Sequence, residues 1–250
     1  MVSDQLLLTA VTSLPMLIGA AVIYKGYSSR QQAAVMEETE TTPIANARTA
    51  DGLVQLEGTA QADGDLSTAV MLDAEGVAVT TSVERRDVRN SPGDQGGKQI
   101  NWNSVYDAGA VHDFSIADDT GTLPVVVPEE GELSIATQTI TVGKGEEPPA
   151  PVQRLIDAVD GLEADPNNVR RYREGVITEG ESLYGLGEVV TDGDGKAVFS
   201  GDNETAQFVI SDRSEDSLVK EKAGGGVGAY VLGGFFFLMG AGFTALIWLV

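Results

Sequence analysis

Val111-His112-Asp113-Phe114-Ser115-Ile116-Ala117-Asp118-Asp119-Thr120-Gly121-Thr122-Leu123-Pro124-Val125-Val126-Val127 is the stretch on which the fold class turns. Its flanks, Val111 to Ile116 and Leu123 to Val127, are rich in β-branched and large apolar residues and too short for helices, so they read as strands. Between them, Asp118-Asp119-Thr120-Gly121 has the composition of a tight turn. The glycine there is expected to take positive φ. Two strands and a turn make a hairpin.

The pattern extends in both directions. Leu53 to Leu56, Leu66 to Met71, Val77 to Val83, Ile100 to Trp102 and Leu133 to Val142 read as further strands, separated by the turn pairs Asp63-Gly64, Glu75-Gly76 and Glu130-Gly131. Seven strands within about 90 residues predict a barrel or sandwich. The loop Asn90 to Lys98 carries no element signature. Pro148-Pro149-Ala150-Pro151 then leads into a run whose Val152, Leu155, Ile156 and Val159 repeat with helical spacing, so residues 151–174 are expected to form an α-helical insertion. Strands resume at Ser182 to Val190, Lys196 to Ser200 and Thr205 to Ser211, with Asp192-Gly193-Asp194-Gly195 as a hairpin turn. The expected soluble domain is mainly β, a partly closed β-barrel with that insertion.

Outside the domain the chain turns apolar. Leu6 to Tyr24 and Val227 to Val250 carry no charge, and at ~1.5 Å per residue the shorter reaches roughly 28 Å, enough to cross a hydrocarbon core as a helix. The expected order is a first transmembrane helix at 6–24, a juxtamembrane segment at 25–42, the domain at 43–218, a Gly-rich linker at 219–226 and a second transmembrane helix at 227–250. Asp4 in the leading segment and Lys25 just after the apolar run favour an uncleaved anchor over a signal peptide. Lys25 and Arg30, and Arg213, Lys220 and Lys222, flank the spans on the domain side, which predicts a cytoplasmic domain with both termini outside the cell membrane. In the second span Ala229 with Gly233, Gly240 with Thr244, and Ala241 with Ala245 stand at small-xxx-small spacing, a face for packing on the first span or on a second copy of the chain.

Charge narrows the partners. The 250 residues carry a formal charge of −22, of which Asp4 contributes one unit and residues 25–222 the remaining −21. Such a field opposes nucleic acid and anionic lipid. Ten Arg, six Lys and acids spread through patterned strands suit work in concentrated salt, and a halophilic archaeal source is expected. With no cysteine, disulfides, thiol catalysis and Cys-liganded zinc cannot be built from these residues, and no cofactor is expected.

Several stretches, taken in order, carry a resemblance. They are Gly52 and Gly58 in Asp-Gly-Leu-Val-Gln-Leu-Glu-Gly-Thr-Ala, Gly76-Val77-Ala78-Val79 leading to Val83-Glu84-Arg85-Arg86, Trp102, and Phe114 to Gly121. Tyr172-Arg173-Glu174-Gly175, Glu179 to Gly187 and Phe208-Val209-Ile210-Ser211 continue it. Together they resemble the GIDE, or beside-a-membrane, domain of mitochondrial membrane-anchored E3 ubiquitin ligases and of many archaeal and bacterial membrane proteins. The eukaryotic ligases add a Cys/His RING after the second span, for which this sequence has no cysteine. The resemblance therefore implies a membrane-tethered, non-catalytic binding or scaffolding domain with a protein partner.

Candidate chemistry is sparse. Asp119-Thr120-Gly121 matches the aspartic-protease tripeptide, which works as a pair of carboxylates sharing a proton. With one such loop in the chain, an alternative reading is a tethered hydrolase using Asp119 in a homodimer. His112, the only histidine, is expected within a strand, and Asp192, Asp194, Asp202 and Glu204 fail the calcium-loop spacing. Asn203-Glu204-Thr205 is a glycosylation sequon only for an outward-facing domain. Two clusters, Arg85, Arg86, Arg89 and Arg170, Arg171, Arg173, stand out in so acidic a chain. With Trp102 and Tyr106 they are the candidate surface for a protein partner or for lipid headgroups, the competing expectation being pairing with the surplus carboxylates.

Overall fold

The computed structural model describes residues 29–90, 98–129, 131–201 and 207–224, together with 20, 24 and 27. It divides into two compact units, Thr41–Arg213 and the remainder. In the first unit the chain runs through α2 (Ile44–Ala47), β1 (Leu53–Ala62), β2 (Ser67–Ala69), β3 (Ala74–Gly76), β4 (Ala78–Asn90), β5 (Lys98–Val111), β6 (Phe114–Asp118) and β7 (Gly121–Val125). It continues through β8 (Glu132–Ser134), β9 (Gln138–Val142), α3 (Ala150–Ala158), β10 (Arg170–Ile177), β11 (Ser182–Thr191), β12 (Ala197–Ser200) and β13 (Val209–Ser211). In the other unit, helical residues 29–38 form α1 and 215–224 form α4.

Five strands close on themselves. β1 pairs with β6, β6 with β7, β7 with β12, β12 with β11, and β11 returns to β1 over seven residue pairs from Leu53↔Glu188 to Thr59↔Ser182. Closure removes the open edge that the expected partly closed barrel would have kept. Leu56, Ala60, Phe114, Ile116, Leu123, Phe199 and Ile210 are buried in its core. β13 and β8 continue the sheet outward from β11.

β5, β4, β10 and β9 form a separate four-stranded sheet. Its second core joins Val83, Val142 and Tyr172 to Val152, Leu155 and Leu162, so α3 lies against one face. Here the expected helical insertion at 151–174 needs correction. The helix ends at Ala158, and residues 170–177 are β10, which pairs with β4 on one side and β9 on the other. Its charged positions Arg171, Arg173 and Glu174 hide the strand alternation in the sequence. β5 is also much longer than the expected Ile100 to Trp102.

The hairpin at 111–127 is held as expected, but by a different device. Asp118 Oδ1 accepts from the Thr120 N–H at 2.7 Å, the Thr120 hydroxyl at 2.6 Å and the Gly121 N–H at 2.9 Å. Gly121 is not among the residues with positive φ. Asp118 Oδ2 accepts from Ile44 N–H at 2.9 Å and Thr120 Oγ1 from Ala45 N–H at 3.0 Å, so the turn also satisfies the first donors of α2. Burial pushes the Asp118 carboxyl up, but the hydrogen bonds from Thr120, Ile44 and Gly121 outweigh it and hold it below the ordinary aspartate value. A depressed folded-state pKa stabilises the fold above the unfolded value, about 3.9, and that stabilisation is lost as pH falls through the folded value. Asp118→Ala is therefore expected to cost about 2–3 kcal/mol at pH 7 in urea melts. The deficit should shrink as the pH is taken toward 3, and a deficit unchanged with pH would exclude the charged acceptor.

In the unit of α1 and α4, Ala33, Met36 and Leu218 are buried. Thr39 Oγ1 donates to Val35 O at 2.6 Å, and Leu218 N–H bonds Ser214 O at 3.2 Å. Among the described residues no helix is long and apolar enough to cross a membrane. The expected spans at 6–24 and 227–250 lie outside the described residues, apart from 20 and 24, as do the packing residues Ala229, Gly233, Gly240, Ala241 and Ala245.

Candidate functional site: a basic and aromatic face on the four-stranded sheet

The register of β10 against β4 brings the two Arg clusters together. Arg170 pairs with Arg85 and Arg171 with Glu84, while Arg86 on β4 stands opposite Trp102 on β5. The pleat then sorts them, because cross-strand partners share a face and neighbours along a strand do not. Arg86, Arg171 and Arg173 fall with Glu84 and Trp102 on the face away from α3. Arg85, Arg89 and Arg170 fall on the face of Val83 and Tyr172.

On the first face Glu84 is the hub. Its Oε2 accepts from Arg171 Nε at 2.8 Å and lies 2.6 Å from the second Arg171 nitrogen and 3.5 Å from Arg173. The Arg171 guanidinium that Glu84 holds also lies 4.2 Å from the centroid of the Trp102 ring, a cation–π contact. On the second face Arg85 pairs with Asp87 at 3.2 Å and Arg170 with Asp165 at 3.5 Å, and Arg170 Nε is buried with no hydrogen-bond partner. Asp165 is held below the ordinary value chiefly by the Asn168 amide, with Asn167 N–H, Arg170 and Arg85 adding to it against burial. Four of the six arginines thus meet carboxylates. Among the described residues none pairs with Arg86 or Arg89.

Past Arg86, whose N–H still bonds Val169 O at 2.9 Å, β4 pairs only with β5 and the two form a ribbon. On its outer side Val88 faces Ile100, and these are 47% and 55% exposed. They stand two residues from Arg86 and Trp102 on the same face. Exposed apolar side chains beside an unpaired guanidinium and an indole make the composition of a binding-surface core. The loop joining the ribbon, residues 91–97, lies outside the described residues.

The other expected sites separate. Tyr106 does not join Trp102: a register shift after Val83 places it against the α3 core. His112 sits in the break between β5 and β6, where its Nε2 and the Ser67 hydroxyl are 2.7 Å apart, and not within a strand. Asp119 is exposed at the turn that Asp118 organises. Asp192 is occupied as a turn acceptor for Asp194 N–H and Lys196 N–H at 2.9 and 2.8 Å, while Asp202, Asn203 and Glu204 lie outside the described residues. Among the described residues no three His, Cys, Asp or Glu side chains are grouped to hold a metal.

A closed five-stranded barrel joined to a four-stranded sheet with one covered and one basic, aromatic face is the class of fold that these residues build. A family model for GIDE, described as an E3 ubiquitin ligase, matches residues 83–243, and the chain belongs to that family. No curated protein and no solved structure matches it.

Proposed function

We propose that this chain is a membrane-anchored, non-catalytic binding or scaffolding protein of the GIDE type, held by spans at 6–24 and 227–250 and engaging a protein partner through the face of Arg86, Ile100 and Trp102. The observation that supports it most directly is the ribbon itself, with exposed apolar side chains and an unpaired Arg86 on a chain of formal charge −22. Its family is described by a ligase activity, but these residues have no cysteine for a zinc-thiolate RING, so the part they can play in such a system is recruitment. A cytoplasmic domain in a halophilic archaeon is the setting we propose, with the membrane as the tether.

The test uses the full chain in its own membranes, carrying Ser91→Cys as its single cysteine. A protein partner is expected to co-purify at stoichiometry after gentle solubilisation. The thiol should resist a membrane-impermeant maleimide in intact cells and react after lysis. Recovery of the chain alone would sink the scaffold reading, and labelling of intact cells would move the domain and its partner to the outer side.

A further inference from the structure

On the opposite face of the same sheet, between β2, β4, β5 and α3 and apart from the face of Arg86 and Trp102, lies a cleft of about 200 Å³. Val79, Leu155 and Val159 give it apolar walls, and Tyr106, Thr81 and Glu174 line it with oxygens. Glu174 is only 1% exposed. Its carboxylate accepts from Leu72 N–H at 2.8 Å and from the Thr81 hydroxyl at 3.1 Å, both neutral donors. Among the described residues no Lys, Arg or His forms an ion pair with it.

A carboxylate offers about four lone-pair sites, and two are used here. A buried anion without a counter-charge is costly, and a cation brought to the cleft would offset that cost. The shape of the site selects among cations. A hard metal ion wants six or more oxygens, carboxylates foremost, and Glu174 is the one carboxylate among the residues that line this cleft. A guanidinium is a rigid planar fork that must meet both carboxylate oxygens at once, and the single donor that each already accepts narrows the approach in that plane. A compact ammonium on a methylene stem needs one strong acceptor and an apolar groove.

We propose that this cleft binds a primary alkylammonium group, its nitrogen against Glu174 and its stem along Leu155, Val159 and Val79. A lysine side chain and a free aliphatic amine share that chemistry.

Ligand-observed NMR on the full-length chain in detergent, at fixed high salt, tests the proposal with n-butylammonium, 1-pentanol and tetramethylammonium. Butylammonium should bind saturably, with millimolar affinity for so few atoms. Pentanol, which lacks the charge, and tetramethylammonium, which lacks N–H donors, should each bind about tenfold weaker or worse. Glu174→Gln should weaken butylammonium by a similar factor. Because that substitution also touches Leu72 and Thr81, Ala108→Leu provides a second arm: it fills the cleft from β5 and should displace the ligand with the melting temperature unchanged. Competition by Nα-acetyl-lysine amide would assign the site to lysine side chains, and its failure beside bound butylammonium to free amines. No saturable binding, equal binding of tetramethylammonium or pentanol, or unchanged binding to Ala108→Leu would each overturn it.

Discussion

Replacing Gly187 by valine is expected to leave the barrel unfolded, and replacing it by alanine to cost upward of about 3 kcal/mol in urea denaturation. A Cβ at Gly187 would stand 2.5 Å from Ser200 O, 3.0 Å from Phe199 Cζ and 3.0 Å from Phe208 Cδ2. The first contact is backbone and cannot rotate away. Gly187 also pairs with Val54 across the seam that closes the ring, so a shift that relieved the clash would break β1–β11 pairing. Gly185, two residues earlier, has Phe199 Cε1 at 2.9 Å from its own Cβ position. The two glycines leave space on β11 for the rings of Phe199 and Phe208, whose centroids are 5.6 Å apart. Phe199→Ala, which empties that space, should itself cost about 3–5 kcal/mol. Gly193→Ala, where a Cβ meets nothing within 4 Å, is the control and should stay within about 0.5 kcal/mol of the parent. Near-parental stability of Gly187→Ala would mean that the β11–β12 backbone yields there and that close packing does not set closure.

How much of this was legible depended on whether local residues carried the cause. The hairpins at Asp118 and Asp192 were readable because a short side chain bonds its own turn, a device of three to five residues. β10 was not, since alternate positions on both its faces carry charge, and what makes it a strand is pairing with β4 and β9, far away in sequence. β5 is exposed along much of its length, so no apolar alternation announces it. Closure was hidden for the same reason, because it rests on the long register between β1 and β11.

The site divides in the same way. Six arginines in an acidic chain were conspicuous from the sequence, but their sorting between faces required the register and the shift at Val83. Glu84 was invisible as a hub because its partners lie more than eighty residues away. Glu174 read as one more acid, although it stands two residues from buried Tyr172 and so shares that strand face. That alternation was the available signal, and β10 had first to be recognised as a strand for it to be used.

The second large effect is expected at the ribbon. Ile100→Asp combined with Trp102→Ala should reduce partner recovery or affinity by roughly 30-fold or more, because buried aromatic anchors at interface centres are worth about 2–4 kcal/mol. The fold should hardly notice. Ile100 is 55% exposed, and loss of the indole leaves Arg171 on Glu84 at 2.6 Å, so stability should change by about 1 kcal/mol or less. Val111→Asp, a 47% exposed apolar position at the far end of β5, should leave binding at the parental level. Arg86→Glu then separates a folded, acidic partner surface from simple charge attraction. If Arg86 sits against a carboxylate in a desolvated contact, reversal should cost more than tenfold and persist in molar salt, where the Debye length is ~3 Å. If it acts only by long-range attraction to lipid or to acidic protein, the loss should vanish at that salt. Retention of the partner by the double variant would place the interface elsewhere on the domain, and the exposed ribbon would then need another explanation than recruitment.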